Sequence, residues 1–543
     1  MNGLMQNSPL LISGLLDHAS RFHADVEVVT KTCEGPIVRH TYETIAVRAK
    51  KLAQALKSLG VQPGDRVATL AWNTHRHLEL YFAVSGIGAV LHTVNPRLFP
   101  EQIDYILNHA GAKVLMFDIT FAQLVTDLRP GLVHADTLIA MTDADHMGDM
   151  PAGCLCYETL LAAETADFDW PVFDENTASG LCYTSGTTGN PKGVLYSNRS
   201  TVLHAMMLCQ MDGLQLSSRD STLLCVPLFH VNAWGVPYGS ALCGAKLVMP
   251  GPNLDGQSLY DLARDEGCTF SLGVPTVWLG FLDHIEKTGV DPKADLKLKR
   301  LVVGGSAAPR TLMRRLCDVG IYGLQAWGMS ETGPVATVAN ALPKHDDQDD
   351  DARLDLQCMG GRPVYGVQLR HVDDAGQVQP RDGQAPGELQ VRGPWITSGY
   401  FRHEAEVLDS DGWFSTGDIA TVDTNGYVRI TDRAKDVIKS GGEWISSLDL
   451  EDAAMMHPQV AEAAVIGVPH PKWQERPLMV VVSKSDVPPD VQDLRRFLED
   501  RVAKWWLPDD IVFVDSLPHT ATGKLQKVEL RKQFANHVLP EHA

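Results

Sequence analysis

The chain has no Cys-x-x-Cys pair and no Cys/His run at metal-ligand spacing. Its ten cysteines are scattered, and only Cys154 and Cys156 stand close together. A disulfide framework or a structural zinc site has no support, and the cysteines read as reduced thiols of a cytoplasmic protein. Long apolar runs are missing too. The longest, Phe82 to Val90, is too short to span a bilayer, and the N-terminal apolar stretch lacks a basic start and soon meets Asp17, unlike a signal peptide. Positive charge is scarce: 47 Lys and Arg against 67 Asp and Glu give a net charge of −20. That balance argues against a general nucleic-acid or anionic-membrane surface. Neither G-x-x-x-x-G-K-[ST] nor G-x-G-x-x-G occurs, so the P-loop and Rossmann dinucleotide readings lack their signatures. There is no internal repeat.

What is present is a globular composition, 44% hydrophobic and 21% charged over 543 residues. That length suggests roughly two to four domains. Thr41 to Leu59 reads as an amphipathic helix stopped by Gly60, followed by a strand from Arg66 to Trp72. A helix from Glu101 to His109 leads past Gly111 into the strand Lys113 to Asp118. Such alternation, continuing to about Asn340, predicts α/β layers with parallel sheets. The acidic run Lys344 to Asp351 reads as a solvated loop, since it lacks the glycine of a Ca²⁺ loop. After Leu356 short strands and turns suggest a β-rich subdomain. Past Asp432 a new α/β pattern begins, with a strand near Ala464–Val468, a helix from 491 to 504 and a strand from 511 to 514.

The most informative stretch is Tyr183 to Val194, YTSGTTGNPKGV. Five small residues in succession, Ser185 to Gly189, cannot be a helix or strand core. Glycines let backbone N–H groups approach an anion, hydroxyls add donors, and Lys192 adds a cation. The apolar Gly180-Leu181-Cys182 is consistent with a strand feeding this loop.

YTSGTTGNPKGV resembles the phosphate loop of the adenylate-forming superfamily, which includes acyl- and aryl-CoA ligases, luciferases and peptide-synthetase adenylation domains. The resemblance covers nearly the whole chain: GGSAAP (304–309), QAWGMSETGP (325–334), STGD (415–418), DRAKDVIKSGGEWIS (432–446) and PHTATGKLQK (518–527) follow in the family's order. The wording of PLFHVNAWG and LHTVNPRLFPEQ is similar to medium-chain fatty acid–CoA and methylmercaptopropionate–CoA ligases. The implied fold is α/β, with a large N-terminal domain of layered α/β subdomains plus a β-rich subdomain (1–432). A hinge (433–435) leads to a small mobile α+β C-terminal domain (436–543).

The resemblance implies site residues one by one. Thr184, Ser185, Gly186, Thr187, Thr188, Gly189 and Lys192 would hold the β- and γ-phosphates of ATP. Glu331 would ligate Mg²⁺, with Thr184 as a further metal contact, and Thr332 would bond the α-phosphate. Trp327 takes the place of the adenine-stacking aromatic, within Ala326, Gly328, Met329 and Ser330, while Gly305, Ser306 and Ala307 line the other side of adenine. Asp418 would accept from the ribose hydroxyls, with Ile430 and Arg433 nearby. Lys524 is the expected catalytic cation, bridging carboxylate and α-phosphate as charge builds; Lys527 and Lys532 read as merely solvated. Lys435 matches the hinge. After rotation Lys439, Ser440, Gly441 and Gly442 would face the nucleotide and the coenzyme A thiol tunnel. The family often has proline-valine-glutamate after this segment; here Ser447-Leu448-Asp449 leaves the helix start open.

His230 would gate the acid, and Val231, Trp234, Gly304, Gly328 and Pro334 would shape its pocket. No acid lies in HVNAWG, which argues against an amino-acid substrate, whose ammonium would be buried unpaired. Trp234 could shorten the slot, favouring short or medium chains or a thioether acid such as 3-methylmercaptopropionate. The expected activity is ATP-dependent acyl-CoA ligation. The alternatives are delivery of the adenylate to a carrier protein, or a nucleotide sensor without catalysis. A homodimer is a family-level expectation.

Overall fold

The computed structural model describes residues 1, 3–184, 190–440, 443–485, 488–519 and 525–540. Two large sheets dominate the N-terminal part. One has seven strands, in the order Leu155–Cys156, Thr137–Ala140, Ala112–Phe117, Arg66–Leu70, Val90–Thr93, Ala178–Thr184 and Lys192–Ser197. All its pairings are parallel but the last. The other has nine, with six parallel strands in its middle, among them Ser221–Leu224, Arg300–Val303 and Tyr322–Gly328. Parallel strands buried on both faces should be apolar throughout rather than alternating. Val90–Thr93 and Phe270–Gly273 are buried at every position.

Local sequence explains the flanking helices. Thr41 and Thr44 form a reciprocal capping box at the start of Tyr42–Ser58, and Gly60 ends the turn at φ 82°. Helix Pro100–Ala110 starts on proline and stops at left-handed Gly111. The strand expected to reach Trp72 ends at Leu70, because the Trp72 N–H donates to the Asp118 carboxylate at 2.7 Å instead of to a strand.

A four-stranded antiparallel sheet follows: Gln368–Val372, Gly387–Arg392, Phe414–Val422 and Val428–Arg433. Residues after Val437 build a separate five-stranded sheet with its own apolar clusters, centred on Val460–His470 and Gln474–Ser483. The whole is mixed α/β, with a large N-terminal part and a smaller C-terminal one.

Two expectations change. The acidic run is not all loop: Asp349 caps helix Asp350–Gln357 through the Ala352 N–H, and Asp351 pairs with Arg310 and Arg314. Carboxylates at a helix N-terminus meet its positive end, so the run starts a helix. The helix from 491 ends at Glu499 rather than 504. Its buried stripe, Leu494 and Leu498, is complete there, and the chain then turns to sink Leu507 into the same cluster.

Candidate active site

A cavity of about 1330 Å³ lies at the C-terminal ends of the parallel strands Arg300–Val303 and Tyr322–Gly328, where open α/β sheets bind ligands. Strand Tyr322–Gly328 carries Trp327 to the cavity wall. The Trp327 indole N–H donates to Asp418 Oδ2 at 2.8 Å. Asp418 comes from strand Phe414–Val422 and is buried; Thr416 and Gly417 beside it line the cavity. Arg433 Nε sits 2.8 Å from Asp418 Oδ1 as an ion pair, yet Oδ1 accepts no aligned hydrogen bond. That carboxylate therefore keeps an acceptor in reserve, which a hydroxyl could satisfy. Gly328 has to be glycine: a Cβ there would lie 1.8 Å from the Pro334 carbonyl oxygen.

Glu331 follows in a short turn, Ser330–Thr332, and is 5% exposed. Burial raises its pKa, partly offset by the Tyr400 hydroxyl, which donates to Oε1 at 2.8 Å. Lys192 lies across the same Tyr400 ring, 5.0 Å from its centre. A buried carboxylate with cations near but none paired to it among the described residues suits a cation that arrives with a ligand.

Another part of the cavity lining comes from a strap, residues 226–235. Asn73 holds it from behind: its amide donates to the Leu224 and Val226 carbonyls, both at 2.8 Å, and its oxygen accepts from Leu228 N at 2.6 Å. The Tyr81 hydroxyl donates to the Leu228 carbonyl. Val231, Asn232, Ala233 and Trp234 then take φ between 46° and 55°, and Gly235 takes 76°, so five residues in a row are left-handed. For Val231, Ala233 and Trp234 this costs about 1–2 kcal/mol each, while Asn232 tolerates it better. The strain aims Trp234 (5% exposed) across the floor: a Cβ on Gly304 would meet its ring at 2.9 Å. Buried His204 braces the strap and the segment after Thr332 together. Its Nε2 accepts from Val335 N at 3.1 Å, and Gly235 fits against its ring.

The profile of the AMP-binding enzyme family matches residues 16–401, and that of the AMP-binding enzyme C-terminal domain matches residues 449–524. The chain belongs to the AMP-binding enzyme family. It is 49% identical over 537 residues to a 3-methylmercaptopropionyl-CoA ligase of Ruegeria lacuscaerulensis, covering 98% of this chain and 99% of that one. It is 47% identical over 542 residues to a medium-chain-fatty-acid–CoA ligase of Ectopseudomonas oleovorans, covering 99% and 98%. Among solved structures, an anthranilate CoA ligase in complex with anthranoyl-AMP has a TM-score of 0.86 at 24% identity, covering 98% of this chain and all of that one, which speaks for the fold.

Most residues singled out in the sequence face this AMP-binding family cavity. Thr184 and Lys192 line it from the strand ends on either side of residues 185–189. Ser185, Gly186, Thr187, Thr188 and Gly189 lie outside the described residues, as do Gly441, Gly442 and Lys524. Gly304, Gly305, the run Ala326 to Glu331, His230, Val231, Trp234 and Pro334 line the cavity as well. Arg433 and Lys435 line it from the segment that leads to the C-terminal part, and loss of water around Lys435 lowers its pKa.

Others stand apart. Thr332 is fully buried, and its hydroxyl is turned into its own loop, toward the Met329 and Pro334 carbonyls. Ser306 and Ala307 lie just past the lining, Ser306 exposed, and Ile430 is half-buried in strand Val428–Arg433. Lys439 reaches toward Asp374 at 3.9 Å, and Ser440 Oγ accepts from Arg476 at 3.2 Å; neither lines the cavity. Ser446 caps helix Ser447–Met455, which settles the open helix start.

One reading is corrected. Lys532 is solvated at the cavity edge, 69% exposed and paired with neighbouring Glu529. Lys527 is not: it is 7% exposed and its ammonium pairs with Glu451 at 2.7 Å. Sequence reasoning also missed Tyr400 and Arg97. Arg97 lines the cavity between the rings of Trp72 and Phe229, where burial lowers its pKa. It stands in the quoted segment LHTVNPRLFPEQ, the one signal that could have marked it.

Proposed function

We propose that the chain is an ATP-dependent acyl-CoA ligase that works in two steps. A carboxylate attacks the α-phosphorus of ATP, giving acyl-adenylate and pyrophosphate. The coenzyme A thiol then attacks the acyl carbon, giving acyl-CoA and AMP. The observation that carries this reading is one cavity holding a Trp327–Asp418 nucleoside corner, the Glu331 carboxylate and an apolar slot closed by Trp234. The names of the full-length relatives point the same way.

Trp327 presents a ring for adenine to stack on. The Asp418 Oδ1 acceptor is suited to a ribose hydroxyl, and Arg433, 2.8 Å from that oxygen, adds a cation beside the nucleotide. Lys192 and the loop 185–189 take the outer phosphates. The Glu331 carboxylate and Thr184 hydroxyl are hard oxygen donors on one wall, a set that fits Mg²⁺ sharing its other ligands with phosphates and water. Mg²⁺ would neutralise charge on the phosphate oxygens. Thr332 shapes the loop over Gly328 here, and its bond to the α-phosphate would require the hydroxyl to turn. Lys524 supplies the cation that offsets carboxylate and α-phosphate together; Lys524→Ala should lower adenylation by about 10²–10³-fold.

The domain reading follows: residues 1–432 bind ATP and acid, Lys435 serves as hinge within 433–435, and 436–543 turn between the two steps. Lys439 and Ser440, directed away from the cavity here, would then come to the nucleotide with Gly441 and Gly442. His230 would open and close the acid entrance.

For the acid we favour a short or medium chain, or a thioether acid such as 3-methylmercaptopropionate, because Trp234 seals the slot against Gly304. The test is coenzyme A-dependent AMP release over acetate, butyrate, hexanoate, octanoate, palmitate, 3-methylmercaptopropionate, cinnamate and amino acids. We expect turnover to peak at C4–C8 or thioether acids, and Trp234→Ala to move the optimum to longer chains. Turnover on palmitate with little on C4–C8 acids would falsify the short slot, and no turnover on any acid would overturn the ligase itself.

A further inference from the structure

Beneath the cavity, where strand Val428–Arg433 ends, Asp432 is 1% exposed. Its Oδ2 accepts from both the N–H and the hydroxyl of Ser447, at 2.7 and 2.6 Å. The Lys527 ammonium donates to the same Ser447 hydroxyl oxygen and pairs with Glu451 at 2.7 Å. Glu451 Oε1 also accepts from Val465 N at 2.6 Å. Just ahead of Lys527, Gln526 N donates to the Pro518 carbonyl at 2.8 Å, and Leu525 bridges to His519. Three chain segments therefore meet at one buried hydrogen-bonded knot: the end of the strand before Arg433, the start of helix Ser447–Met455 and the start of helix Lys527–Gln533.

The knot also joins the two walls of the cavity. Arg433, Ala434 and Lys435 line it from one side of the knot; His519, Leu525 and Gln526 line it from the other. A buried ammonium is costly unless every proton finds a partner, and an apolar side chain would usually pack there at less cost. Its presence marks an arrangement held by specific bonds that can be exchanged for water when the walls separate.

We propose that Asp432, Ser447 and Lys527 form a clamp that holds the cavity walls in the arrangement suited to the first half-reaction, which makes Lys527 a positioning residue for acid activation. This rests on the two-step reading above. In this arrangement His519 and Leu525, on either side of the segment that carries Lys524, face the cavity, while Lys439 and Ser440 do not. Transfer to the thiol would require the clamp to open.

Ser447→Pro is the sharpest variant. Position 447 is the first residue of its helix, where proline is tolerated, and Ser446 at φ −72°, ψ 117° already suits a following proline. The variant keeps the helix but removes both donors to Asp432. Lys527→Met removes the ammonium, and Lys527→Arg restores a cation. Two rates are read separately: acid-dependent ATP–pyrophosphate exchange without coenzyme A, and thioester formation from supplied acyl-adenylate. We expect Ser447→Pro and Lys527→Met to slow exchange by about tenfold or more while thioester formation stays within about threefold, with Lys527→Arg recovering most of the exchange. Trypsin cleavage at exposed Arg433 and Lys435 should be faster in the first two variants. Equal losses in both half-reactions, or no loss in either, would overturn the clamp. If the wild type shows no exchange with any acid, the ligase reading fails instead, and unchanged trypsin cleavage in Ser447→Pro would then overturn the clamp on its own.

Discussion

Half-buried Arg48 and buried Arg76, among the N-terminal helices, share three carboxylates, whereas buried Lys527 and exposed Arg429 at the seam with the C-terminal part stand among four. In the first group Arg48 reaches Glu79 at 2.6 Å and Glu158 with both terminal nitrogens at 3.0 and 2.9 Å. Arg76 reaches Glu34 at 2.6 Å and Glu158 at 2.8 Å. Burial works against the ionised carboxylates, yet the Thr142 hydroxyl and Arg76 hold Glu34, and Arg48 and Arg76 hold Glu158, below the ordinary glutamate value, while burial raises Glu79 despite its bonds to Arg48 and Tyr157. At the seam burial prevails over Lys527: Glu451 is pushed up to about 7, and Asp432 and Asp449 are raised too. Asp452 is likewise pushed up to about 7 by burial and by its acidic neighbours. Guanidinium forks matched to carboxylates make a permanent tie. An ammonium amid an excess of acids near neutrality makes one that can be undone.

Breaking the first group should cost most. Arg48→Met leaves buried carboxylates without their partner and should lower unfolding free energy by about 3–5 kcal/mol, read from the denaturant midpoint. The next effect is pH-dependent, and Glu34 and Glu158 run opposite to Glu451. A glutamate raised from about 4.5 unfolded to about 7 folded binds more protons when folded, so its contribution is full below pH 4.5 and lost as pH rises through 7. Glu34 and Glu158, held low, contribute above pH 4.5 and lose that contribution only as pH falls through their folded values. Between pH 5 and 8 stability should therefore decline by about 1–3 kcal/mol through the seam, and Glu451→Gln should flatten that slope. Lys527→Met should cost less than Arg48→Met, about 1–2 kcal/mol at pH 7, because Glu451 can take up a proton once the ammonium is gone. Equal losses from the two variants would erase the distinction between the groups. Smallest is Arg496→Ala, which removes an exposed i,i+3 contact to Asp493 at 3.8 Å and should change stability by less than about 0.5 kcal/mol.

Much of this was legible in the sequence, and for local reasons. Caps such as Thr41 and stops such as Gly60 and Gly111 act within one turn, so the helices at 42 and 100 could be read from neighbouring residues. One stretch of the cavity lining was legible because Trp327 to Glu331 are contiguous. What escaped depends on distant partners. Lys527 looked solvated because Ser447 lies 80 positions away, and Tyr400 went unnoticed because its acceptor Glu331 is 69 away. The helix from 491 ran too long because its end is decided by where Leu507 is buried, not by helix propensity.

The left-handed run Val231–Gly235 bears on how the acid preference could drift over generations. Each of these residues sits in a backbone state that most amino acids resist, so the segment is selected for handedness as much as for the side chains it shows. A random library over it would be enriched in glycine and asparagine, the residues that relax such a turn. Those clones would fold well and lose the fixed aim of position 234. The predictable trajectory is from one sharply chosen acid to several loosely chosen ones, and recovering a narrow preference would need mutations in the surfaces behind the strap, at Asn73, Tyr81 and His204, rather than in the strap itself.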